Sequence, residues 1–410
     1  MPLVADLDLP AFDYTDATLH GPRFHATMRE LRAQGWLAAT PLGYVVLERE
    51  AAAFFLRSRS AEFPGMKIAE IFGIDDGPLY EEMRRNILHI NGTDHARLRR
   101  LVNPSFTPRA AERWRPAMRG FMGELLDAAL AQEGSVDFVG AVAKPYPSLV
   151  IATVLGAPLE DAPRLHEGSN WVQRQFDAPT LMAERPRIER HVVELYDYLD
   201  ALLAARRDDP GDDLISQLIA ARAEGDDRLS DVELVNLVLD VLIGGIDTTQ
   251  SQLAHAVRLL AEHPDQWAQL RADPSLAPAA VEEALRYEPI TPFTARILTE
   301  EVEYGDVVFP RDTVLLICAH TANRDGEREG DAFDVASPRE GRPLTFGAGI
   351  HYCLGANLAR AELQEGLRLI AERVEALALD GAPDFEGVQG VYGLRALPLR
   401  LTGAPSAARG

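Results

Sequence analysis

Cys353 is the residue best suited to reactive chemistry in this 410-residue chain. It lies in Phe346-Gly347-Ala348-Gly349-Ile350-His351-Tyr352-Cys353-Leu354-Gly355-Ala356, a glycine-punctuated loop. The loop runs into a predicted helix, Asn357-Leu358-Ala359-Arg360-Ala361-Glu362-Leu363, with apolar residues on one side. A thiol at a helix N-terminus meets backbone N–H groups and the positive end of the helix dipole, which favour the thiolate. Gly347 and Gly349 can take backbone angles closed to other residues and let a flat ligand approach. Phe346 beside the sulfur, and the N–H groups that follow Cys353, are contacts of the kind that tune a metal-bound thiolate. Taken alone, the same pattern also suits a buried structural cysteine.

The second constellation is Gly244-Gly245-Ile246-Asp247-Thr248-Thr249. Upstream, Ser230-Asp231-Val232-Glu233 is a capping box, with Ser at the N-cap and Glu three residues later. The helix it starts is expected to run to about His263, where Pro264 stops it, a length of ~50 Å at 1.5 Å per residue. Leu234 to Ile243 is apolar nearly all round, so this stretch should be buried. Two mid-helix glycines cost roughly 0.5–1 kcal/mol each relative to alanine. A buried acid needs a partner or solvent. Glycines that open room for a ligand, with an acid and a hydroxyl that handle protons, explain the stretch; a kinked helix with an internally bonded Asp is the plainer reading.

Two further pairs share helix faces. His95 and Arg99 stand four apart in Asp94-His95-Ala96-Arg97-Leu98-Arg99-Arg100-Leu101-Val102, and Glu283 and Arg286 stand three apart in Pro278 to Tyr287. An arginine fork suits a carboxylate. Arg97, Arg100, Arg109, Arg113 and Arg115 form either a docking face for an acidic protein or a solvated surface.

Phe-Gly-x-Gly-x-His-x-Cys-x-Gly at 346–355 resembles the haem-binding signature of the cytochrome P450 family, and Gly-Gly-x-Asp-Thr resembles its oxygen-activating helix motif. The resemblance runs from about residue 20 to residue 400 in the family's order. It implies a mainly α fold with a minor β lobe, the cytochrome P450 fold, its long central helix crossing a buried haem. Cys353 is then the axial ligand of haem b, with Gly244, Phe346, Gly347 and Gly355 around the cofactor. His95, Arg99, Arg296 and His351 hold its propionates. Thr248 hydrogen-bonds dioxygen, the co-substrate, and Asp247 relays protons. Met66, Ile71, Phe72, Ile243, Phe293, Thr294 and Val391 are expected in the substrate pocket. The stretch from Trp171 to Arg187 is expected as its lid. Glu283 and Arg286 are expected as a structural pair. The family's Phe-Asp-x-x-Arg has Ser337 in place of its arginine here, so Arg339 or Arg342 substitutes, or the network is incomplete. Gly390 to Leu399 resembles the family's last hairpin, its turn near Val391 and Tyr392.

The implied reaction is hydroxylation or epoxidation of an apolar small molecule, of the kind found in secondary metabolism. Electrons come from a separate ferredoxin/ferredoxin reductase-type donor, since no flavin or iron–sulfur domain is seen. A peroxygenase or isomerase, or a non-enzymatic haem or ligand-binding protein, uses the same cysteine differently.

The remaining chain must position these groups. Gly43 to Leu47 is predicted as a strand, Arg49 to Leu56 as a helix, and the next thirty residues as an irregular, apolar-rich cap. Ile290 to Arg296 reads as an approach to a strand. Length alone suggests two or three domains, but no linker or internal repeat divides the chain, and the resemblance implies one catalytic domain, 21–410, after an N-terminal extension, 1–20. The formal charge of −22 and 25% charged residues argue against a nucleic-acid or anionic-membrane binder. The opening residues lack the regions of a signal peptide, and no stretch approaches ~18 uninterrupted apolar residues. A cytoplasmic monomer is expected. Cys318 and Cys353 give no disulfide framework, and Cys318, in an apolar run, reads as core packing.

Overall fold

The structure, a computed structural model, describes residues 1–224, 229–325, 330–336 and 341–404. Its organising element is the 32-residue helix Asp231–Glu262. Both halves of the capping box form: Glu233 N–H donates to Ser230 Oγ (3.2 Å), and Ser230 N–H donates to Glu233 Oε2 (2.8 Å). At the other end Pro264 starts a new helix, Pro264–Ala272. The central helix is buried from Leu234 to Ile243 except at Asp240, as its apolar composition requires. Around it pack Pro145–Leu155, Ala162–Gln173, Ala178–Asp208, Ala277–Tyr287 and the helix after the cysteine, Ala356–Arg373. The fold is mainly helical, with the minor sheet portion expected.

That portion is led by a five-stranded mixed sheet in the order Leu37–Thr40, Gly43–Val46, Val314–Cys318, Phe293–Leu298, Ala61–Glu62. Gly43–Val46 and Val314–Cys318 run parallel, and the other pairs are antiparallel. Thr294 opposes Ile317 and Arg296 opposes Leu315. Cys318 is fully buried at the strand end, its Sγ 3.8 Å from Met28 Sδ. The first twenty residues fold onto this lobe, with Val4, Phe12 and Leu19 buried.

Two local expectations are corrected. The stretch after residue 60 is not irregular throughout, because Met66–Ile71 and Gly77–Arg85 are helical. Gly65, Gly73 and Gly77 have φ of 55°, 63° and 91°, and these left-handed turns cut the helices too short for a readable period. The last hairpin pairs Asp384–Phe385 with Leu394–Ala396, so 386–393 is its turn. Pro398–Gly403 leaves it to join Val374–Leu379 and Ser135–Asp137, led off by Leu397 N–H donating to Asp137 Oδ1 (2.9 Å). The stretch from Trp171 to Arg187 crosses a helix end, a single tight turn and the kinked start of Ala178–Asp208. Glu184 is non-helical there, two residues before Pro186, whose ring and missing N–H disrupt the preceding turn.

Glu283 and Arg286 are both buried, and Arg286 binds Glu283 bidentately at 2.7 and 2.8 Å. The guanidinium also donates to the carbonyls of Gly330 and Ala332 (2.7 Å each), and Asp334 N–H donates to Glu283 Oε1 (2.8 Å). Backbone groups of the 330–334 segment thus join the pair. Arg342 offers its carbonyl to Arg49 (2.7 Å), while Ser337 and Arg339 lie outside the described residues.

Candidate active site

A cavity of about 520 Å3 opens between the central helix, the cysteine loop, Phe293–Leu298, the 63–72 segment and the 388–391 turn. The cysteine loop reaches it through two glycines with left-handed backbone, Gly347 (φ 69°) and Gly349 (φ 74°). A Cβ on Gly349 would also collide with the carbonyl of Leu56, so the loop packs backbone to backbone there. Cys353 N–H donates to the carbonyl of Phe346 (2.9 Å), which closes the loop and turns the sulfur into the cavity. Cys353 lies deep in the protein and is accessible by way of this cavity. Burial pushes its thiol up from the ordinary value; the N–H groups of Gly355 and Ala356 and the charges of Arg99 and Arg360 offset this only in part. The N–H groups at the helix start therefore favour the thiolate as expected, but burial outweighs them. A metal ion on the sulfur would supply the missing stabilisation.

Across the cavity the central helix presents Ile243, Gly244 and Thr248. Its two glycines serve different ends. Nothing lies within 4 Å of a Cβ built on Gly244, which faces open space. A Cβ on Gly245 would strike Ile151 Cδ1, so Gly245 lets Pro145–Leu155 approach the central helix. Thr248 Oγ1 donates to the carbonyl of Gly244 (2.6 Å), which leaves its oxygen lone pairs as free capacity at the cavity.

Asp247 points elsewhere. It does not line the cavity; it is buried, and its carboxylate accepts from Ser169 Oγ (2.9 Å) and Asn170 Nδ2 (3.0 Å) on Ala162–Gln173. His166 Nε2 stands 3.9 Å from Asp247 Oδ1. Burial raises its pKa to about 6 against the lowering effect of those two hydrogen bonds. One residue of helix rotation separates it from Thr248, and that places the acid and the alcohol on different faces.

One edge of the cavity is basic. His95, Arg99, Arg296 and His351 all line it. The His95 and His351 rings stand 4.3 Å apart, and His351 Nε2 is 2.8 Å from Asn91 Oδ1. Arg99 donates to the carbonyl of Tyr352 (2.9 Å) and Arg296 to that of Ala295 (2.8 Å). Arg296 is 2% exposed, and neither arginine has an ion pair with a carboxylate among the described residues. Burial lowers Arg296 to about 10. Burial, with the neighbouring positive charges, lowers His95 to about 4 and His351 to about 3. Buried guanidinium groups without an anion are costly, so this edge fits a ligand with carboxylates. A flat cofactor with acidic substituents, seated against Cys353 and facing Gly244, suits the donor set and the shape.

Of the pocket expectations, Ile71, Phe72, Phe293, Thr294 and Val391 line the cavity, Ile71 being largely exposed. Met66 does not. It opens its short helix and packs, half-buried, against the main core. Tyr392, beside Val391, is buried with its hydroxyl accepting from Gly21 N–H (2.7 Å), and this anchors the turn. The arginine face is largely tied up: Arg97 pairs with Glu233, Arg113 with Asp212, and Arg115 with Glu112 and Glu365.

Sequence reasoning missed three groups. Asp240 and Gln175 line the cavity, and Glu82 lies behind Asp240. The signal for Asp240 was an acid inside an otherwise apolar helical run.

Comparison with known proteins supports this geometry. The family model described as Cytochrome P450 matches residues 44–381. The chain is 36% identical over 406 residues to luteothin monooxygenase of Streptomyces thioluteus, covering 97% of each chain. It is 38% identical over 320 residues to cyclomarin C epoxidase CymV of Salinispora arenicola (strain CNS-205), covering 76% of this chain and 79% of that one. The crystal structure of CalO2 superposes with a TM-score of 0.89 at 30% identity, over 96% of this chain and 99% of the other.

Proposed function

The chain belongs to the cytochrome P450 family and is a haem-dependent monooxygenase, and we propose that Cys353 is the axial thiolate ligand of its haem b. The observation that carries this reading is the pairing of a cavity-facing sulfur with an unbalanced basic edge. Cys353 would ligate the iron, His95, Arg99, Arg296 and His351 would receive the propionates, and Gly355 and Phe346 would support the sulfur. Bound haem supplies the activation of O2 that inserts one oxygen atom into a C–H or C=C bond. Around it, the protein holds substrate, excludes water and supplies protons.

Thr248 is assigned to hold dioxygen by its hydroxyl, whose proton must turn from the carbonyl of Gly244 to the cavity to do so. Asp247 is assigned as the proton reservoir. Its carboxylate must leave Ser169 and Asn170 to face the cavity, and a pKa near neutrality lets it take and release a proton at modest cost. The largely apolar lining near Ile243, Phe72, Phe293 and Val391 supports a substrate with an apolar body. The names of the two relatives support a place among tailoring oxidations of natural products. Electrons are assigned to a separate ferredoxin-type donor, and residues 21–410 to one catalytic unit. Among the described residues no helix is long and apolar enough to cross a membrane.

The carbon monoxide difference spectrum of the reduced protein tests the ligand. A Soret band at the red-shifted position of thiolate ligation is expected, lost in Cys353→Ala. A band at the shorter wavelength of histidine ligation in the native protein overturns the assignment. With an electron donor and a substrate found by spin-state shift, Thr248→Ala should keep substrate binding while electrons drain to hydrogen peroxide. Unchanged coupling removes Thr248 from oxygen handling.

A further inference from the structure

Asp240 is the one charged residue in the stretch Leu234–Ile243, whose other polar residue is Asn236, and it lies on the face that lines the cavity. Asp240, Gly244 and Thr248 follow at intervals of four, so a ligand over Gly244 can span from one polar end to the other. The axial distance from Asp240 to Thr248 is about 12 Å, eight residues at 1.5 Å. Asp240 Oδ2 accepts from Ile87 N–H (3.0 Å), and its other oxygen has no hydrogen bond among the described residues.

The groups beside it are acceptors too. Gln175 also lines the cavity, is 2% exposed, and leaves its Oε1 without a partner; its Nε2 donates to the carbonyl of Val172 (3.2 Å). Glu82, fully buried, accepts from Asn86 Nδ2 (2.7 Å), and the Gln175 amide beside it also lowers its pKa against burial. Asn86 is itself satisfied, its Oδ1 accepting from Leu88 N–H (2.9 Å). The nearby Arg85 is engaged by Glu81 (2.7 Å). Burial and Glu82 push Asp240 well above the usual carboxylate range, and burial raises Glu82 to about 7. A buried acceptor without a donor costs free energy, and two neighbouring acids without a cation cost more. What this end lacks is positive charge with N–H groups.

We propose, on the reading of this cavity as a monooxygenase substrate site, that the substrate is an apolar molecule carrying a protonated amine, anchored on Asp240 and Gln175. The amine occupies the end of the cavity two helical turns from Thr248, and the carbon to be oxidised lies about 12 Å away along the helix. Asp240 is a specificity residue here, since it touches substrate and not the reacting atoms.

A matched series of twelve-carbon ligands tests this: N,N-dimethyldodecylamine, 1-dodecanol and dodecanoate, titrated at neutral pH into the haem-loaded protein. Calorimetry reads affinity, and the Soret band reads what happens at the iron. The amine should bind about tenfold tighter than dodecanol, the worth of one charged hydrogen bond. It should do so without the red shift of nitrogen on iron. Asp240→Asn, which retains an acceptor for Ile87, should abolish the preference for the amine while dodecanol affinity holds. Gln175→Leu should reduce the preference by a smaller factor. Dodecanol binding equal to the amine, a preference unmoved in Asp240→Asn, or a nitrogen-on-iron band would each overturn the proposal with the monooxygenase reading intact. Failure of all three ligands, with no thiolate-type band under carbon monoxide, would instead overturn both.

Discussion

The two polar ends of the cavity are opposites. At the edge near Cys353 stand His95, Arg99, Arg296 and His351, cationic or donor groups with no carboxylate to meet. At the far end stand Asp240, Gln175 and Glu82, two acids and an amide with acceptor oxygens left over and no cation paired with them among the described residues. Each end is unstable by itself, and in each the missing partner is of opposite sign. The fold shows that it can balance buried charge when the charge is structural: Glu283 and Arg286 are satisfied by each other and by three backbone groups. Glu288 is likewise held by Arg258 (2.6 Å) and His25 (3.0 Å). A buried charge left open therefore marks a ligand, and its sign describes the ligand.

The sharpest way to break that contrast is to cut a balanced pair and an unbalanced group and compare the losses without haem. Glu283→Gln leaves the Arg286 charge buried and uncompensated, which should cost about 3–5 kcal/mol of unfolding free energy with or without haem. Arg296→Leu removes a buried cation that has no anion. The haem-free protein should therefore lose little or gain, while haem should leave about 10–100-fold faster. Denaturant unfolding of the haem-free protein and transfer of haem to apomyoglobin measure the two. If Arg296→Leu destabilises the haem-free protein as much as Glu283→Gln does, the basic edge is structural and the contrast fails.

How far these features were legible in the sequence follows from their range. The cysteine loop is contiguous, and its glycines are demanded by local backbone angles, so ten residues suffice to read it. The central helix announces itself by a capping box and a closing proline. Side-chain direction is another matter. Asp247 and Thr248 are neighbours in a motif, yet one faces Ser169 and the other the cavity, and only packing of Ala162–Gln173 decides which. Gly245 looked like room for a ligand; it lines the cavity, and it is also room for Ile151. Met66 looked like a pocket residue from the resemblance, but on its short helix Ile68 and Ile71 line the cavity while Met66 packs against the core. Asp240 passed unnoticed because one acid among nine apolar or amide positions reads as tolerance, until the cavity shows where it points. Among the described residues the groups that join Glu283 and Arg286 are backbone, which leaves no trace in residue types, while Arg339 lies outside them.

The two acids of the central helix extend the comparison to pH. Asp240 has one donor and faces the cavity; Asp247 has two and faces a neighbouring helix. Burial raises Asp247 to about 6, so its ionised form predominates above that pH and is lost as pH falls through it. A reservoir that must accept protons from solvent works in the ionised form, so coupling of electrons to product should decline on acidification with an inflection near pH 6. Asp247→Asn should abolish the inflection and lower turnover across the range. Ser169→Ala and Asn170→Ala have a smaller effect of definite sign. Each hydrogen bond stabilises the carboxylate, so its loss should carry the inflection to higher pH by a fraction of a unit to about one unit. Product and peroxide yields from pH 5 to 8 read all four proteins. An inflection that survives in Asp247→Asn, or moves to lower pH in Ser169→Ala, would assign the titration to another group and leave Asp247 a structural acid like Glu283.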